Sequence, residues 1–129
     1  MNKIEHIGIA VKNLDEANIV YSKIFNQQPY KTESVESEHV STSFFKVGQS
    51  KFELLEATNS ESAIAKFIEK KGEGIHHIAF DVDDIYVEME RLKKEGFIIL
   101  NENPKKGADN KLCTSKICKR GINRIVSRD

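Results

Sequence analysis

The sequence predicts an α+β fold, in which two βαβββ modules form one curved mixed sheet around a cleft. A segment that alternates with a period of two opens the chain, and a similar segment returns 71 residues later. A segment with helical periodicity follows each of them after two or three residues. We expect residues 1–129 to form one domain, with module one at about 1–60 and module two at about 72–129.

The first strand is predicted at 4–11, where His6 shares one face with the small residues Gly8 and Ala10. The opposite face carries the apolar residues Ile7, Ile9 and Val11.

A helix is predicted from Leu14 to Phe25, with Asn13 as its N-cap and Pro29 beyond its end. Its expected apolar stripe consists of Ala17, Val20, Tyr21 and Ile24. Three strand-like stretches come next, at about 30–36, 40–47 and 51–56. The glycine-containing segment 48–50 makes the turn between the last two.

A second helix is predicted from Ser62 to Lys71, ending at Gly72. One face of this helix carries Ile64, Phe67 and Ile68. The remaining predicted elements are a strand at 75–82, a helix at 85–95 and a short strand at 97–100. Beyond Pro104 the sequence is rich in lysine and loses clear patterning.

Composition excludes several classes of function. The chain has 20 basic and 20 acidic residues and no net charge, so it lacks the positive field that holds a nucleic-acid backbone. Its apolar runs are far shorter than the roughly 20 residues of a membrane span. The first residues show no signal peptide, and two cysteines are too few for a disulfide framework. We therefore expect a cytoplasmic protein.

The repeat places His6 and His77 at equivalent positions, each on the small-residue face of its strand. Two matched imidazoles with a nearby carboxylate are typical of a site for a divalent ion such as Co, Ni, Zn, Mn or Fe. Glu53 is the best carboxylate candidate, and position 124 is its counterpart in the repeat. The alternative is that each histidine only forms structural hydrogen bonds and that Glu53 keeps an edge strand soluble.

Other polar residues are assigned to less specific roles. Alternation predicts that His76 points outward, and His39 is expected in a loop or at a strand edge. The acidic residues Glu33, Glu36 and Glu38 are expected on a solvated surface.

Four stretches of the chain resemble methylmalonyl-CoA epimerase, a family of the vicinal oxygen chelate superfamily that includes glyoxalase I. They are HIGIAVKNLDEA, FELLEA, SAIAKFIEKKGEGIHHIAFDVDDI and ENPKKGADNK, within about residues 3–111. The resemblance implies the paired βαβββ fold and metal ligands at His6, Glu53 and His77. It also implies a fourth ligand, a glutamate of the last strand, but position 124 is an arginine. An arginine cannot bind a cation.

A shift of reading frame is one hypothesis for this tail. The family normally ends with a segment similar to HPKS-x-NGVLIEL. Codons permitted for the residues from Thr114 onward, when read one nucleotide later, spell HPKSANGVLIELCQE. The glutamate of that segment falls at the codon of Arg124, and sequencing the coding DNA tests the hypothesis.

The resemblance implies that (2R)- and (2S)-methylmalonyl-CoA are interconverted through an enolate, with a divalent ion (Co, Mn, Ni or Zn) as cofactor and an acyl-CoA thioester as substrate. Inversion needs acid–base groups on both faces of the enolate. The second base stays unassigned, with Glu36, Glu38 and His39 as weak candidates, and Lys105 and Lys106 could meet the phosphates of coenzyme A. A homodimer is expected by analogy. The alternatives are a glyoxalase I-type lactoylglutathione lyase and a binding module that has lost catalysis.

Overall fold

The computed structural model describes residues 1–100 and 102–104, and the backbone of 113–118 and 123–127. Its regular elements follow one another along the chain as β1 (Lys3–Ala10), α1 (Leu14–Phe25), β2 (Lys31–Val35), β3 (Val40–Val47), β4 (Ser50–Ala57), α2 (Ala63–Lys71), β5 (Gly74–Asp81), α3 (Ile85–Lys94), β6 (Ile98–Ile99), β7 (Cys113–Cys118) and β8 (Asn123–Ser127). A short 3₁₀ turn, Glu36–Glu38, joins β2 to β3.

The chain forms two compact units. One unit comprises His6–His76, and the other comprises Met1–Glu5 with His77–Asp129. In the first unit the strands run in the order β2-β3-β4-β1, and in the second they run β6-β7-β8-β5. The pairs β1–β4 and β5–β8 are parallel and the other described pairs are antiparallel. The two units therefore share one topology, and the predicted α+β fold of two βαβββ modules is confirmed.

Polar caps explain where the helices begin. The Asn13 side chain accepts a hydrogen bond from the Glu16 amide at 2.9 Å, as predicted for the start of α1. The Ser62 hydroxyl accepts one from the Ile64 amide at 3.1 Å and starts α2. Gly72, with φ of 76°, ends α2 in a backbone conformation that favours glycine.

The buried face of α1 differs from the predicted stripe. Val20 and Ile24 are 52% and 63% exposed. The residues of α1 that pack against the core are Leu14, Ala17, Tyr21 and Phe25. Ala17 and Tyr21 were predicted, whereas Leu14 and Phe25 take the places expected for Val20 and Ile24, so the buried stripe is rotated from the predicted one.

The cores are apolar and lie under the helices. Helix α1 covers a cluster of Ile9, Val11, Phe45 and Leu54. Helix α2 covers a second cluster through Ile64, Phe67 and Ile68, the face that was predicted. In the other unit, Ile85, Met89 and Leu92 of α3 pack with Val82. Within the described residues, no helix is long and apolar enough to cross a membrane.

The sequence pattern did not locate two of the strands. Strands β7 and β8 lie in the tail, where the hydrophobic pattern is lost. The pairing of β8 with β5 and β7 supplies their backbone hydrogen bonds, and such pairing overrides a weak local preference.

Candidate metal site

His6 and Glu53 lie side by side on neighbouring parallel strands. His6 is 6% exposed and Glu53 is 4% exposed. The His6 Nε2 and Glu53 Oε2 atoms are 3.3 Å apart. The sequence therefore identified a pair of residues that the structure brings into direct contact.

The register of β1 and β4 explains this contact. Gly8 is the residue directly across from Glu53, and it is buried. Because glycine has no side chain, the Glu53 carboxylate has room to turn toward His6, two residues along the same face of β1.

The separation of these two atoms fits a shared cation. Ligand atoms that lie about 2.1 Å from one ion at tetrahedral or octahedral angles are about 3.0–3.4 Å apart. A carboxylate oxygen and an imidazole nitrogen are also donors that Zn, Co and Mn accept. The geometry is equally that of a hydrogen-bonded histidine–carboxylate pair, in which the carboxylate orients the ring.

His77 occupies in β5 the place that His6 occupies in β1. It is 3% exposed, and Ala79 follows it two residues later, as Gly8 follows His6. His6, Glu53 and His77 are each buried, and each offers one ligand atom for a metal ion. All three predicted ligands therefore have the burial and the chemistry that a metal site needs.

Position 124 is the counterpart of Glu53 in backbone register. Ala79 pairs with Arg124 between β5 and β8, as Gly8 pairs with Glu53 between β1 and β4. The side chain of Arg124 lies outside the described residues, and so do Lys105 and Lys106. The residue at this register position is nevertheless one that cannot donate an electron pair to a cation.

The prediction that His76 points outward is wrong. His76 is 8% exposed, and its ring packs edge-on against Phe67, with the ring centroids 5.0 Å apart. Alternation along the strand identified its face correctly as the one opposite His77. It could not show that α2 places an aromatic ring there.

The three weak candidates for a second base lie in the turn between β2 and β3. Glu36 and Glu38 are exposed in the 3₁₀ turn. His39 follows them with a positive φ of 53°, and its Nδ1 is 3.1 Å from Nδ2 of Asn59. This contact links the turn to the segment that follows β4.

Lys31 and Glu33 of β2 were not predicted as site residues. They share a sheet face with Glu53, because Lys31 pairs with Phe44, and Phe44 pairs with Glu53. The period-two alternation of β2 could have identified them, because it places Lys31, Glu33 and Val35 on one face and the exposed residues Thr32 and Ser34 on the other.

Comparison with known proteins decides the family. The model of the glyoxalase/bleomycin resistance protein/dioxygenase superfamily matches residues 5–114. The chain belongs to this superfamily. The matched segment ends before β8, so Arg124 lies beyond it.

Within the superfamily, the relatives include epimerases. The chain is 34% identical over 111 residues to YqjC of Bacillus subtilis, an uncharacterised protein, covering 86% of this chain and 79% of that one. It is 33% identical over 113 residues to an ethylmalonyl-CoA/methylmalonyl-CoA epimerase of Cereibacter sphaeroides, covering 86% and 84%. It is 35% identical over 112 residues to human mitochondrial methylmalonyl-CoA epimerase, covering 86% of this chain but only 64% of the human protein.

Solved structures superpose closely on this chain. A hypothetical protein of Bacillus halodurans C-125 superposes with a TM-score of 0.93 at 34% identity, covering 99% of this chain and 95% of that one. A variant of Streptomyces coelicolor methylmalonyl-CoA epimerase, in complex with 2-nitronate-propionyl-CoA, gives 0.90 at 28% identity, covering 98% and 94%. The resemblance to the epimerases and the glyoxalase-like fold are thus confirmed.

Proposed function

We propose that this chain is a metal-dependent epimerase that interconverts (2R)- and (2S)-methylmalonyl-CoA, with His6, Glu53 and His77 holding one divalent ion. The buried contact between His6 and Glu53, at 3.3 Å, is the observation that carries the proposal. The similarity to epimerases supports the choice of an acyl-CoA thioester as substrate.

The chemistry explains why such a site suits this substrate. The hydrogen that must leave lies on the carbon between a thioester and a carboxylate, so its removal produces an enolate. When bound, a divalent ion supplies positive charge that stabilises the oxygen of that enolate. Cobalt, manganese, nickel and zinc all accept this donor set.

The chain's own residues prepare the site. His6 and Glu53 are held by strands and by their burial, so their ligand atoms are preorganised rather than ordered at the moment of binding. Gly8, directly across from Glu53, has no side chain and leaves room on this face beside the two ligands. Because the pair is buried, the attraction between its ligand atoms and a cation is screened less than it would be in water.

The test begins with the full chain loaded with Co²⁺, to which each pure epimer of methylmalonyl-CoA is added in deuterium oxide. We expect deuterium to enter the α-position and the other epimer to form. The glutathione hemithioacetal of methylglyoxal is assayed in parallel. A Glu53→Leu variant is the matched control, and we expect it to lose both cobalt and turnover.

Each outcome separates the alternatives. Turnover of the hemithioacetal without epimerisation would assign the chain to the glyoxalase I type. A cobalt-loaded chain that transforms neither compound would indicate a binding module. The homodimer and the cytoplasmic location stay predictions, which sedimentation and cell fractionation test.

A further inference from the structure

One face of the sheet in the His6–His76 unit carries His6 and Glu53, and we call it the site face. The cross-strand pairs define it, because residues directly opposite each other project to the same side. One row of the site face is Gly8, Glu53, Phe44 and Lys31. The next row is Ala10, Leu55, Thr42 and Glu33.

Two carboxylates fall on the site face among the described residues of β1 to β4. One is Glu53, the proposed ligand, and the other is Glu33 on β2. Glu5 of β1 and Glu56 of β4 project from the opposite face of the sheet. The Glu56 carboxylate accepts a hydrogen bond from the Leu14 amide at 3.1 Å. Glu33 is therefore the carboxylate of this face that metal binding leaves for acid–base work.

The surroundings of Glu33 hold it in place without closing it off. Its Oε2 is 3.1 Å from Nζ of Lys31, and its side chain is 26% exposed. The Lys31 ammonium also lies 5.5 Å from the ring centroid of Phe44, the residue that pairs with Glu53. A cation fixed over an aromatic ring has less freedom than one in solvent, so it orients the carboxylate beside it.

Thr42, directly across from Glu33, adds an independent observation. It is 1% exposed, and its hydroxyl oxygen has no hydrogen-bond partner within the described part of the chain. Buried hydroxyls are normally hydrogen-bonded, so a buried hydroxyl without a partner indicates a place where a polar group of a ligand could bind. This place lies beside Glu33, in the row next to the one that carries Glu53.

Resting on the epimerase function proposed above, we infer that Glu33 is a catalytic acid–base residue for one face of the substrate and that Lys31 is its positioning residue. A Glu33 carboxylate oxygen takes the α-proton. The electron pair of that C–H bond becomes the C=C bond of the enolate, and the carbonyl π electrons move to the thioester oxygen. A second acid–base group or a water molecule delivers a proton to the opposite face to complete inversion, and exchange with solvent restores both groups. In the reverse direction the protonated Glu33 returns its proton, so nothing is consumed.

The experiment compares Glu33→Gln with Glu69→Gln, which makes the same change at an exposed glutamate of α2. Both chains are loaded with Co²⁺, and cobalt content and thermal midpoint are measured first. Each pure epimer is then followed in deuterium oxide for inversion and for α-deuterium uptake.

We expect Glu33→Gln to keep its cobalt and to lose inversion by about 100-fold or more. Deuterium uptake should persist from one epimer and fall with the other, because the base for the opposite face is still present. Glu69→Gln should match the wild type. Lys31→Met should slow deuterium uptake from the same epimer that Glu33→Gln affects, and Lys31→Arg should restore the rate.

Inversion by Glu33→Gln at the wild-type rate would overturn the assignment, and so would an equal loss of deuterium uptake from both epimers. A cobalt-loaded wild-type chain that neither exchanges nor inverts would overturn the proposed function, and the role of Glu33 with it. The two failures are thus distinguished by the wild-type chain.

Discussion

Arg124 pairs with Ala79 in the register that joins Glu53 to Gly8 in the other module. The last strand therefore presents an arginine at the position where the first module presents its carboxylate. A guanidinium group carries a permanent positive charge and has no acceptor, so an arginine cannot supply the electron pair that a metal ligand donates.

We predict that the chain binds cobalt weakly and turns over slowly, and that Arg124→Glu lowers the dissociation constant for Co²⁺ by about 10- to 100-fold. Titration calorimetry measures the constant, and metal analysis measures the stoichiometry. Arg124→Leu is the control that removes the charge without adding a ligand, and it should recover only part of the effect. Equal affinity in the wild type and Arg124→Glu would show that position 124 is not at the metal.

Glu53→Leu should abolish stabilisation by the metal. A ligand at about 100 times its dissociation constant stabilises the folded state by about 2.7 kcal/mol. We expect cobalt to raise the thermal midpoint of the wild type and of Glu36→Gln, but not that of Glu53→Leu. A metal-induced shift that survives in Glu53→Leu would remove Glu53 from the ligand set.

Leu54→Ala should destabilise the unit that contains His6 and Glu53. Leu54 is fully buried in the cluster under α1. Truncating such a side chain leaves a cavity and costs about 2–5 kcal/mol of unfolding free energy. Urea denaturation measures the loss. Ile19→Ala on α1 is the control, since Ile19 is 60% exposed and should change the free energy little.

The ion pair between Glu88 and Arg91 should make a small contribution to stability that depends on pH. The hydrogen bond from Arg91 lowers the pKa of Glu88 below its usual value. A lowered pKa means that the contribution is present above the pKa of the unfolded state and is lost as pH falls through the folded-state pKa.

Arg91→Gln should therefore lower the urea midpoint slightly near pH 7 and lose this effect in acid, below the ordinary glutamate pKa of about 4.3. Arg120→Gln is the control for removing one positive charge. A difference between wild type and Arg91→Gln that stays constant across this pH range would contradict the prediction.

Much of the fold could be predicted from local pattern. Period-two segments located β1 and β5, Asn13 marked the start of α1, and Gly72 marked the end of α2. The phase of α1 could not be predicted reliably, because two apolar stripes compete on that helix and only packing against the sheet chooses between them. Strands β7 and β8 were missed because their stability depends on pairing with distant strands.

The sequence by itself determined the repeat, the fold class and the three candidate ligands, because each of them follows from residue types at fixed spacing. Only the tertiary structure decided that His6 and Glu53 are in contact, that His76 is buried against Phe67 and that Glu33 shares the site face. The reason is physical. Alternation assigns a side chain to one of two faces, but what covers that face depends on strand register and on packing between segments far apart in the chain.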